Sequence, residues 1–386
     1  MVEETLMNTN IIGQDAVWNR LTVISRGDRV GNAYLFHGPA GVGKEGMAIQ
    51  FASLLNCQNP REKPCLNCAS CAKFKSLQHP NIHIVVPFPR NKDINKDDPP
   101  LKALSPKTLE MLIELMKQKG CDPYIKLELP RAKTILINSV REIREKVYLK
   151  AVEAGQKMVL IFEAEKLMSQ QGESANALLK ILEEPPDGTT LILCTEYQVR
   201  LSETIRSRCQ SIFFPAVPES VIAPFLEENF QVSSEEAVLV AHLSQGNVRM
   251  GKSLAESDLT DVTATLQTLL SWAVSGTESG WRKFIAHGIA TNRSSPPELM
   301  FQLQLLSYWF RDAFHAQKLN GESSFILSML EKEVRKFSHR FPEADYTRII
   351  TAVEKCADSL ARNFQLNLVL MDLLMEVRDG LKGATR

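Results

Sequence analysis

One stretch of the sequence decides the fold: Gly38-Pro39-Ala40-Gly41-Val42-Gly43-Lys44-Glu45. It follows a short apolar run at residues 33–37 and precedes a segment whose apolar residues recur with helical spacing. Strand, glycine loop and helix make the first half of a βαβ unit, which predicts a parallel α/β sheet. In such loops the backbone amides converge on phosphate oxygens and the lysine reaches the terminal phosphates. We therefore predict a phosphate-binding loop (P-loop) rather than a glycine-rich turn without a ligand.

Two positions depart from what magnesium-dependent hydrolysis requires. The hydroxyl that usually follows the lysine is replaced by Glu45, and like charges ~4 Å apart cost on the order of 4 kcal/mol at an effective dielectric of about 20. The second acidic motif ends in Phe162-Glu163, with Phe162 where an active site of this class has its magnesium-binding Asp. Glu163 is either a remaining water-activating acid or a solvated charge at a strand end. Efficient hydrolysis by the chain alone is not expected.

Residues 87–133 interrupt the alternation of strands and helices. Seven of the 19 prolines lie between Pro87 and Pro130. An amphipathic helix is predicted over Ser105–Lys119. Because the segment is only slightly positive, we interpret it as a solvated insertion on the core, with DNA contact as the alternative.

The α/β pattern resumes after the insertion and gives way to helices near Pro218. Ser139, with Glu142 three residues later, is typical of a helix N-cap. Apolar patterns predict the remaining elements, which are strands over 158–162 and 191–194, a helix over 175–183 and helical regions over 219–256 and 258–386.

Four of the eight cysteines are clustered with spacing C-x7-C-x2-C-x2-C: Cys57, Cys65, Cys68 and Cys71. Four thiolates at such spacing can surround Zn²⁺ tetrahedrally and leave no open position for catalysis. We predict a structural zinc site, with disulfides or an iron–sulfur cluster as alternatives. His79 and His83 lie just beyond the cluster and are alternative ligands.

Composition argues against several classes of protein. Lys+Arg 45 balance Asp+Glu 45, which disfavours a basic coat that binds nucleic acid indiscriminately. The start Met1-Val2-Glu3-Glu4 lacks the basic and apolar regions of a signal peptide. No apolar run approaches the ~20 residues that span a bilayer. Cysteine usage in a chain of this length favours a reduced compartment, so we expect a cytoplasmic protein with no membrane partner.

Three further motifs accompany the P-loop and the cysteines. They are Ile11-Ile12-Gly13-Gln14, the segment Ala175–Pro186 ending in Leu-Glu-Glu-Pro-Pro, and Glu203-Thr204-Ile205-Arg206-Ser207-Arg208-Cys209. In this order the motifs closely resemble the bacterial clamp-loader AAA+ subunits of DNA polymerase III, the gamma/tau and delta-prime family. The resemblance covers about residues 10–86 and 134–256, with a weaker helical match to the end that includes Ala361–Leu370. The insertion departs from the family pattern.

The resemblance implies a three-domain subunit of a machine that loads a sliding clamp on primed DNA. The implied domains are an α/β AAA+ P-loop domain with a parallel sheet at 1–217, a helical lid at 218–257 and an all-α collar for oligomer assembly at 258–386. The first domain carries the zinc module at about 57–71 and the insertion at about 87–133. The implied partners are other clamp-loader subunits, of the gamma/tau and delta types, and through them the clamp and DNA.

By motif position, the resemblance also assigns three residues to nucleotide chemistry. Thr195 matches sensor 1, and Arg249, in Gly246-Asn247-Val248-Arg249, matches sensor 2. Arg208 matches the arginine finger that acts in trans on a neighbour's ATP, where its planar charge would stabilise the transferring phosphoryl group. The structural alternatives are a satisfied strand-end hydroxyl for Thr195, a helix-end cap for Arg208 and a lid residue without a nucleotide for Arg249.

Within the family, a degenerate P-loop beside an intact Ser-Arg-Cys motif is typical of the delta-prime type. We therefore expect a non-hydrolysing adaptor that donates Arg208. Whether ATP or ADP binds is left open, and the residues that would hold it are Gly38–Glu45 with Glu163, Thr195 and Arg249. The alternatives are an ATP-hydrolysing gamma/tau-like subunit, in which Glu45 and Glu163 bind magnesium, and a zinc-dependent DNA-binding protein with an inert P-loop.

Overall fold

The chain forms two compact units in a computed structural model that describes residues 11–27, 29–59, 63–95, 97–168, 172–318, 325–361 and 364–383. The first unit comprises Met1–Asn229 and Ser244–Lys252, and the second comprises Phe230–Leu243 and Ser253–Arg386. The three-domain division implied by the resemblance stays a prediction. Arg362 and Asn363, within the predicted match at the end of the collar, lie outside the described residues.

The first unit contains a five-stranded parallel sheet, and the apolar runs predict three of its strands. In sheet order the strands are β2 (Ile82–Val85), β3 (Lys157–Ile161), β4 (Thr189–Thr195), β1 (Ala33–His37) and β5 (Gln210–Phe213). Every residue of β3 and β4 is buried, because strands covered on both faces carry continuous apolar runs. The predicted parallel α/β fold is confirmed.

The strand order brings three of the predicted motifs to one edge of the sheet. β1 and β3 flank β4, and the register places His37 opposite Thr195 and Ile161 opposite Leu193. The P-loop, Phe162-Glu163 and Thr195 therefore follow neighbouring strand ends. Ligands of open α/β sheets bind beyond the carboxyl ends of strands in this way.

Helices surround the sheet of the first unit. They are α1 (Asp15–Arg26), α2 (Lys44–Asn56), α3 (Ala69–Lys75), α4 (Pro106–Cys121), α5 (Ile137–Tyr148), α6 (Glu173–Glu183), α7 (Glu203–Arg206) and α8 (Glu219–Asn229). Helices α9 (Ser234–Ser244) and α10 (Val248–Glu256) each cross the boundary between the units. The predicted helices at 105–119 and 175–183 correspond to α4 and α6.

The second unit is helical, as predicted for the C-terminal region. Its helices are α11 (Leu259–Val274), α12 (Glu278–Ser294), α13 (Pro296–Lys318), α14 (Glu331–Arg340), α15 (Tyr346–Ala361) and α16 (Leu366–Leu381). Trp309 and Phe310 on α13 are buried inside it. Asp312 has no exposed surface and accepts hydrogen bonds from the amides of Ile326 and Leu327, which fixes the segment before α14. In the part of the chain that the structure describes, no helix has the length and apolarity needed to span a bilayer.

The predicted N-cap at Ser139 is wrong, because α5 begins two residues earlier, at Ile137. Leu136 takes the N-cap position and offers no side-chain hydrogen bond. The neighbouring Asn138 amide instead donates to the carbonyls of Asn95 and Asp98, each at 2.8 Å. These contacts with the insertion position the helix start and override the local capping pattern.

The interpretation of residues 87–133 as a solvated insertion is also wrong for the residues that are described. Its two ends are joined by an antiparallel bridge between Phe88 and Thr134. Between them, seven hydrophobic side chains are buried in the first unit: Ala103, Leu104, Leu112, Tyr124, Leu127, Leu129 and Ala132. The segment is therefore part of the core of the first unit.

Candidate nucleotide site and cysteine cluster

The P-loop has the backbone geometry of a phosphate-binding loop. Gly41 and Gly43 have φ angles of +66° and +94°, a region that residues with a Cβ adopt only at a cost. A Cβ at Gly38 would lie 2.1 Å from the carbonyl oxygen of Phe214, so the loop approaches the backbone directly after β5 too closely for any other residue. Helix α2 starts at Lys44, and its first amides therefore point at the space beyond the sheet edge.

Lys44 is held by its own loop. Its ammonium group is buried and donates hydrogen bonds to the carbonyl oxygens of Gly38, at 2.9 Å, and Pro39. Burial lowers the pKa of Lys44. The ammonium therefore faces loop carbonyls, and contact with a phosphate would require these bonds to be exchanged.

The acids at the sheet edge are engaged by protein groups. Glu163 Oε2 lies 3.1 Å from Lys126 Nζ and 2.8 Å from Lys166 Nζ. Phe162, at the position of the magnesium-binding acid, is 1% exposed. Glu165 accepts a 2.6 Å hydrogen bond from the Thr195 hydroxyl, and burial raises its pKa. The position expected to bind magnesium is thus a buried ring, and the acid that follows it is ion-paired with two lysines.

Thr195 and Arg249 both line the cavity beside the P-loop. The Thr195 hydroxyl is satisfied on both sides, because it also accepts from the Tyr197 amide at 3.0 Å. The Arg249 amide donates to the Gly41 carbonyl at 3.3 Å, and its guanidinium lies 3.8 Å from Glu196. The roles of both residues as nucleotide sensors stay predictions.

The four clustered cysteines converge in space. The sulfur atoms of Cys57, Cys65, Cys68 and Cys71 all lie within 4.8 Å of one another. Four thiolates around Zn²⁺ with bonds of about 2.3 Å are about 3.8 Å apart, so a small contraction would close the shell. The amides of Cys65, Cys68 and Cys71 each lie 3.4 Å from the sulfur of the preceding cysteine in the cluster. The donor set fits a structural zinc ion, which would hold together the segment between α2 and α3.

Among the described residues, the group of converging ligand atoms consists of the four cysteines and includes neither His79 nor His83. His79 is buried, stacks on Phe74 and lies 3.1 Å from the Ser70 hydroxyl. His83 lies on β2.

The pKa of Cys68 is lowered to about 6, because amide hydrogen bonds from Cys71 and Gln58 outweigh the raising effect of burial. Such amides stabilise the thiolate form that a metal ion requires.

Comparison with known proteins identifies the family. A family model described as DNA polymerase III, delta subunit, matches residues 13–218, more than half of the chain. The chain belongs to this family. The match confirms the resemblance to the clamp-loader AAA+ subunits of DNA polymerase III.

Several proteins are similar to this delta-family chain over much of its length. It is 24% identical over 362 residues to DNA polymerase III subunit delta′ of Bacillus subtilis. This match covers 92% of each chain. It is 25% identical to subunit delta′ of Escherichia coli, covering 75% of this chain and 72% of the relative. Subunit tau/gamma of Haemophilus influenzae is 28% identical, covering 64% of this chain and 30% of the relative. A solved gamma-subunit-related protein from Thermotoga maritima has a TM-score of 0.40 at 15% identity, covering 95% and 99% of the two chains.

Arg208 of this delta-family chain lies outside the cavity beside its own P-loop. One guanidinium nitrogen donates to the Thr204 carbonyl at 3.0 Å, and another pairs with Glu183 at 2.9 Å. The side chain is 37% exposed. In the single chain Arg208 therefore has the helix-end contact of the structural alternative, in a position that a neighbouring molecule can reach.

The insertion contributes residues to the P-loop cavity that no sequence motif indicates. Lys119, Pro123 and Tyr124 line the same cavity as the loop glycines and Thr195. The remaining cavity measures about 30 Å³, enough for water, whereas ligand sites typically have ~300–1,000 Å³. Lys119 and Glu45 are 74 positions apart, so no local pattern could reveal their contact. Glu196, which faces Arg249, was missed for the simpler reason that it is an ordinary charge after a strand.

Proposed function

We propose that this chain is a delta-prime-like subunit of a DNA polymerase III clamp loader that does not hydrolyse ATP. The observation that carries the proposal is the state of the two magnesium positions. Glu45 is ion-paired with Lys119 at 2.8 Å, and Phe162 is buried. The Phe162 side chain has no oxygen to offer a magnesium ion, and the Glu45 carboxylate is already engaged by an ammonium group. The length of the match to the Bacillus subtilis delta′ subunit supports the same assignment.

The chain would act on ATP only through a neighbouring subunit. Arg208 is exposed and anchored by an exposed ion pair with Glu183, which is weak enough to exchange for a phosphate. A planar guanidinium supplied in trans can accelerate phosphoryl transfer by about 10³–10⁵ in some NTPases. The partners are other DNA polymerase III clamp-loader subunits, of the gamma/tau and delta types, with the sliding clamp and primed DNA engaged through the complex.

Arg208→Ala in the reconstituted complex tests this function. The expected result is a large loss of DNA-stimulated ATPase with unchanged assembly, since the variant removes a charge from a surface position. Arg144→Ala, another exposed arginine of the first unit, is the matched control and should leave the ATPase unchanged. Unchanged hydrolysis by the Arg208→Ala complex would overturn the proposed function.

A gamma/tau-like ATPase is the second candidate, favoured by the left-handed loop glycines and the intact lysine. It requires the Lys44 ammonium and the Glu45 carboxylate to exchange their present partners for nucleotide and magnesium. Steady-state ATP hydrolysis by the purified chain, with Lys44→Ala as control, distinguishes the two. Turnover that Lys44→Ala abolishes would establish the ATPase, whereas activity no higher than that of the variant supports the adaptor.

The cysteine cluster is proposed to hold one structural zinc ion. The four sulfurs close the coordination shell, so the metal would stabilise the fold and take no part in catalysis. The module follows α2 directly, which places it beside the P-loop helix.

A further inference from the structure

One element of the insertion contacts the P-loop on several sides. Residues 119–125, here called the plug, join the end of α4 to the segment that returns to the sheet. The plug residue Lys119 has a side chain that is 2% exposed. Its ammonium group donates to Glu45 Oε2 at 2.8 Å, to the Pro123 carbonyl at 2.9 Å and to the Ile125 carbonyl at 2.6 Å. All three ammonium hydrogens thus have an oxygen partner.

The ammonium group of Lys119 lies between two positions that flank the metal ion in a hydrolysing P-loop. There, a divalent cation lies between the residue after the P-loop lysine and the acid that follows the central strand. In this chain those positions are Glu45 and Phe162. Lys119 Nζ touches the first and lies 5.7 Å from the ring centroid of the second. A protein cation therefore occupies the place between them.

The plug packs against two glycines, Gly46 in the first turn of α2 and Gly43 in the P-loop. A Cβ at Gly46 would lie only 2.5 Å from Pro123 Cβ, so the plug contacts the first turn of α2 where a side chain is missing. Glycine is otherwise unfavourable inside a helix, and this contact explains it. The Tyr124 hydroxyl accepts a 2.9 Å hydrogen bond from the Ile12 amide, and its ring lies against Gly43.

The plug is also held by contacts with two helices, α3 and α10. Gly120 approaches α3 so closely that a Cβ would lie 2.1 Å from the Lys75 carbonyl oxygen. Asp122 forms an ion pair with Lys252 on α10 and accepts the Tyr124 amide at 2.9 Å. With the plug in place the cavity is about 30 Å³, roughly a tenth of the smallest typical ligand pocket.

We infer that the plug is a built-in occupant of the P-loop, in which the Lys119 ammonium takes the place of the divalent cation and Pro123 and Tyr124 exclude adenine nucleotide. The inference deepens the proposed function and rests on its non-hydrolysing role. The P-loop is retained as a binding site for a segment of the same chain. Opening the plug should therefore uncover nucleotide binding through Lys44.

The test is calorimetric titration of the full chain with MgADP. The wild-type chain is expected to show no binding at MgADP concentrations up to about 1 mM, so any Kd would be weaker than about 1 mM. The double variant Glu45→Thr/Lys119→Met removes both charges together and restores the hydroxyl after Lys44. Its Kd should lie about 10- to 100-fold below this limit of about 1 mM. The reason is that a larger fraction of the chains has the P-loop open to nucleotide. Adding Lys44→Ala should abolish the gain, and Lys117→Met, on the exposed face of α4, should behave as wild type.

Two further measurements keep the test decisive if the double variant does not fold. Gly46→Ala favours the helix but adds a Cβ where Pro123 packs, and it should also gain MgADP binding. In the wild-type chain, hydrogen exchange at residues 43–47 and 119–125 should be slow and unchanged by MgADP. Protection of these amides by MgADP, or folded open variants that bind no tighter than wild type, would overturn the inference.

The inference and the proposed function fail separately. If the wild-type chain binds MgADP but does not hydrolyse ATP, the inference about the plug is overturned and the proposed non-hydrolysing function still stands. An Arg208→Ala complex with full ATPase would remove the adaptor function, whatever the titration shows.

Discussion

Lys119 Nζ and Glu45 Oε2 are 2.8 Å apart, and their side chains are only 2% and 17% exposed. Breaking a buried pair from one side strands a charge and costs about 3–5 kcal/mol, whereas replacing both partners costs less. Lys119→Met should therefore lower the free energy of unfolding by about 3 kcal/mol, and Glu45→Gln/Lys119→Met by clearly less. Urea denaturation of the four chains of this double-mutant cycle measures the difference.

The exposed pair of Lys102 and Asp98 provides the control for that cycle. Lys102→Met should change stability by no more than about 1 kcal/mol, as is usual for exposed pairs. Equal losses at Lys119 and Lys102 would mean that the Glu45–Lys119 pair behaves as a surface contact.

The cysteine cluster should bind about one zinc ion per chain. Cys68→Ser removes one thiolate and is expected to lose the metal and roughly 3 kcal/mol or more of stability. Cys121→Ser, at an exposed cysteine outside the cluster, should keep both. Metal analysis and thermal unfolding with and without chelator check this. Visible absorption by the purified chain would instead indicate an iron–sulfur cluster.

His83 should make the fold sensitive to mild acid. Its pKa is lowered to about 4 by burial and by the charges of Lys146 and Lys157, against the opposing effect of Glu142. Between the unfolded value near 6.5 and about 4, the unfolded chain binds a proton that the folded chain does not. Stability is therefore lost as pH falls through this window, by on the order of 2 kcal/mol.

The variant His83→Gln isolates this contribution. Unfolding free energies of wild type and variant are measured at neutral pH and near pH 4.5. The variant should lose less stability on acidification, because other titrating groups contribute equally to both chains. Parallel pH profiles would rule out His83 as the source.

Gly38 and Gly188 illustrate two different reasons why a position requires glycine, a close contact and a left-handed backbone conformation. At Gly38 a Cβ would lie 2.1 Å from the Phe214 carbonyl, whereas at Gly188, with φ +67°, nothing lies within 4 Å. Gly188→Ala should cost about 1–2 kcal/mol from the backbone conformation alone. Gly38→Ala should cost clearly more, because the backbone at Phe214, directly after β5, must move. Thermal unfolding of both variants checks the order, and a milder effect at Gly38 would contradict it.

The sheet and the P-loop could be predicted because their signals are local. Strands β3 and β4 are buried on both faces and are therefore continuous apolar runs, and the loop needs glycine at fixed spacing. The cysteine cluster also has local spacing, and its four sulfurs converge as predicted. These features depend on residues close together in the chain.

The insertion could not be predicted because its signals are long-range. Its prolines and charges suggested a solvated segment, but Tyr124 and Leu112 are buried against the first unit. The predicted start of α5 is wrong for a related reason. The Asn138 amide donates to carbonyls that lie 43 and 40 positions earlier in the sequence. Nothing in the sequence near Glu45 indicates that Lys119 will be its partner.

The bridge between Phe88 and Thr134 has a consequence for redesign of the chain. The insertion starts and ends at this bridge, so its two ends lie side by side whatever the length of the segment between them. A variant shortened at the bridge would keep these ends joined but would lose the side chains that the insertion buries in the core. The connectivity of the chain therefore tolerates a change in the length of the insertion better than the packing of the first unit does.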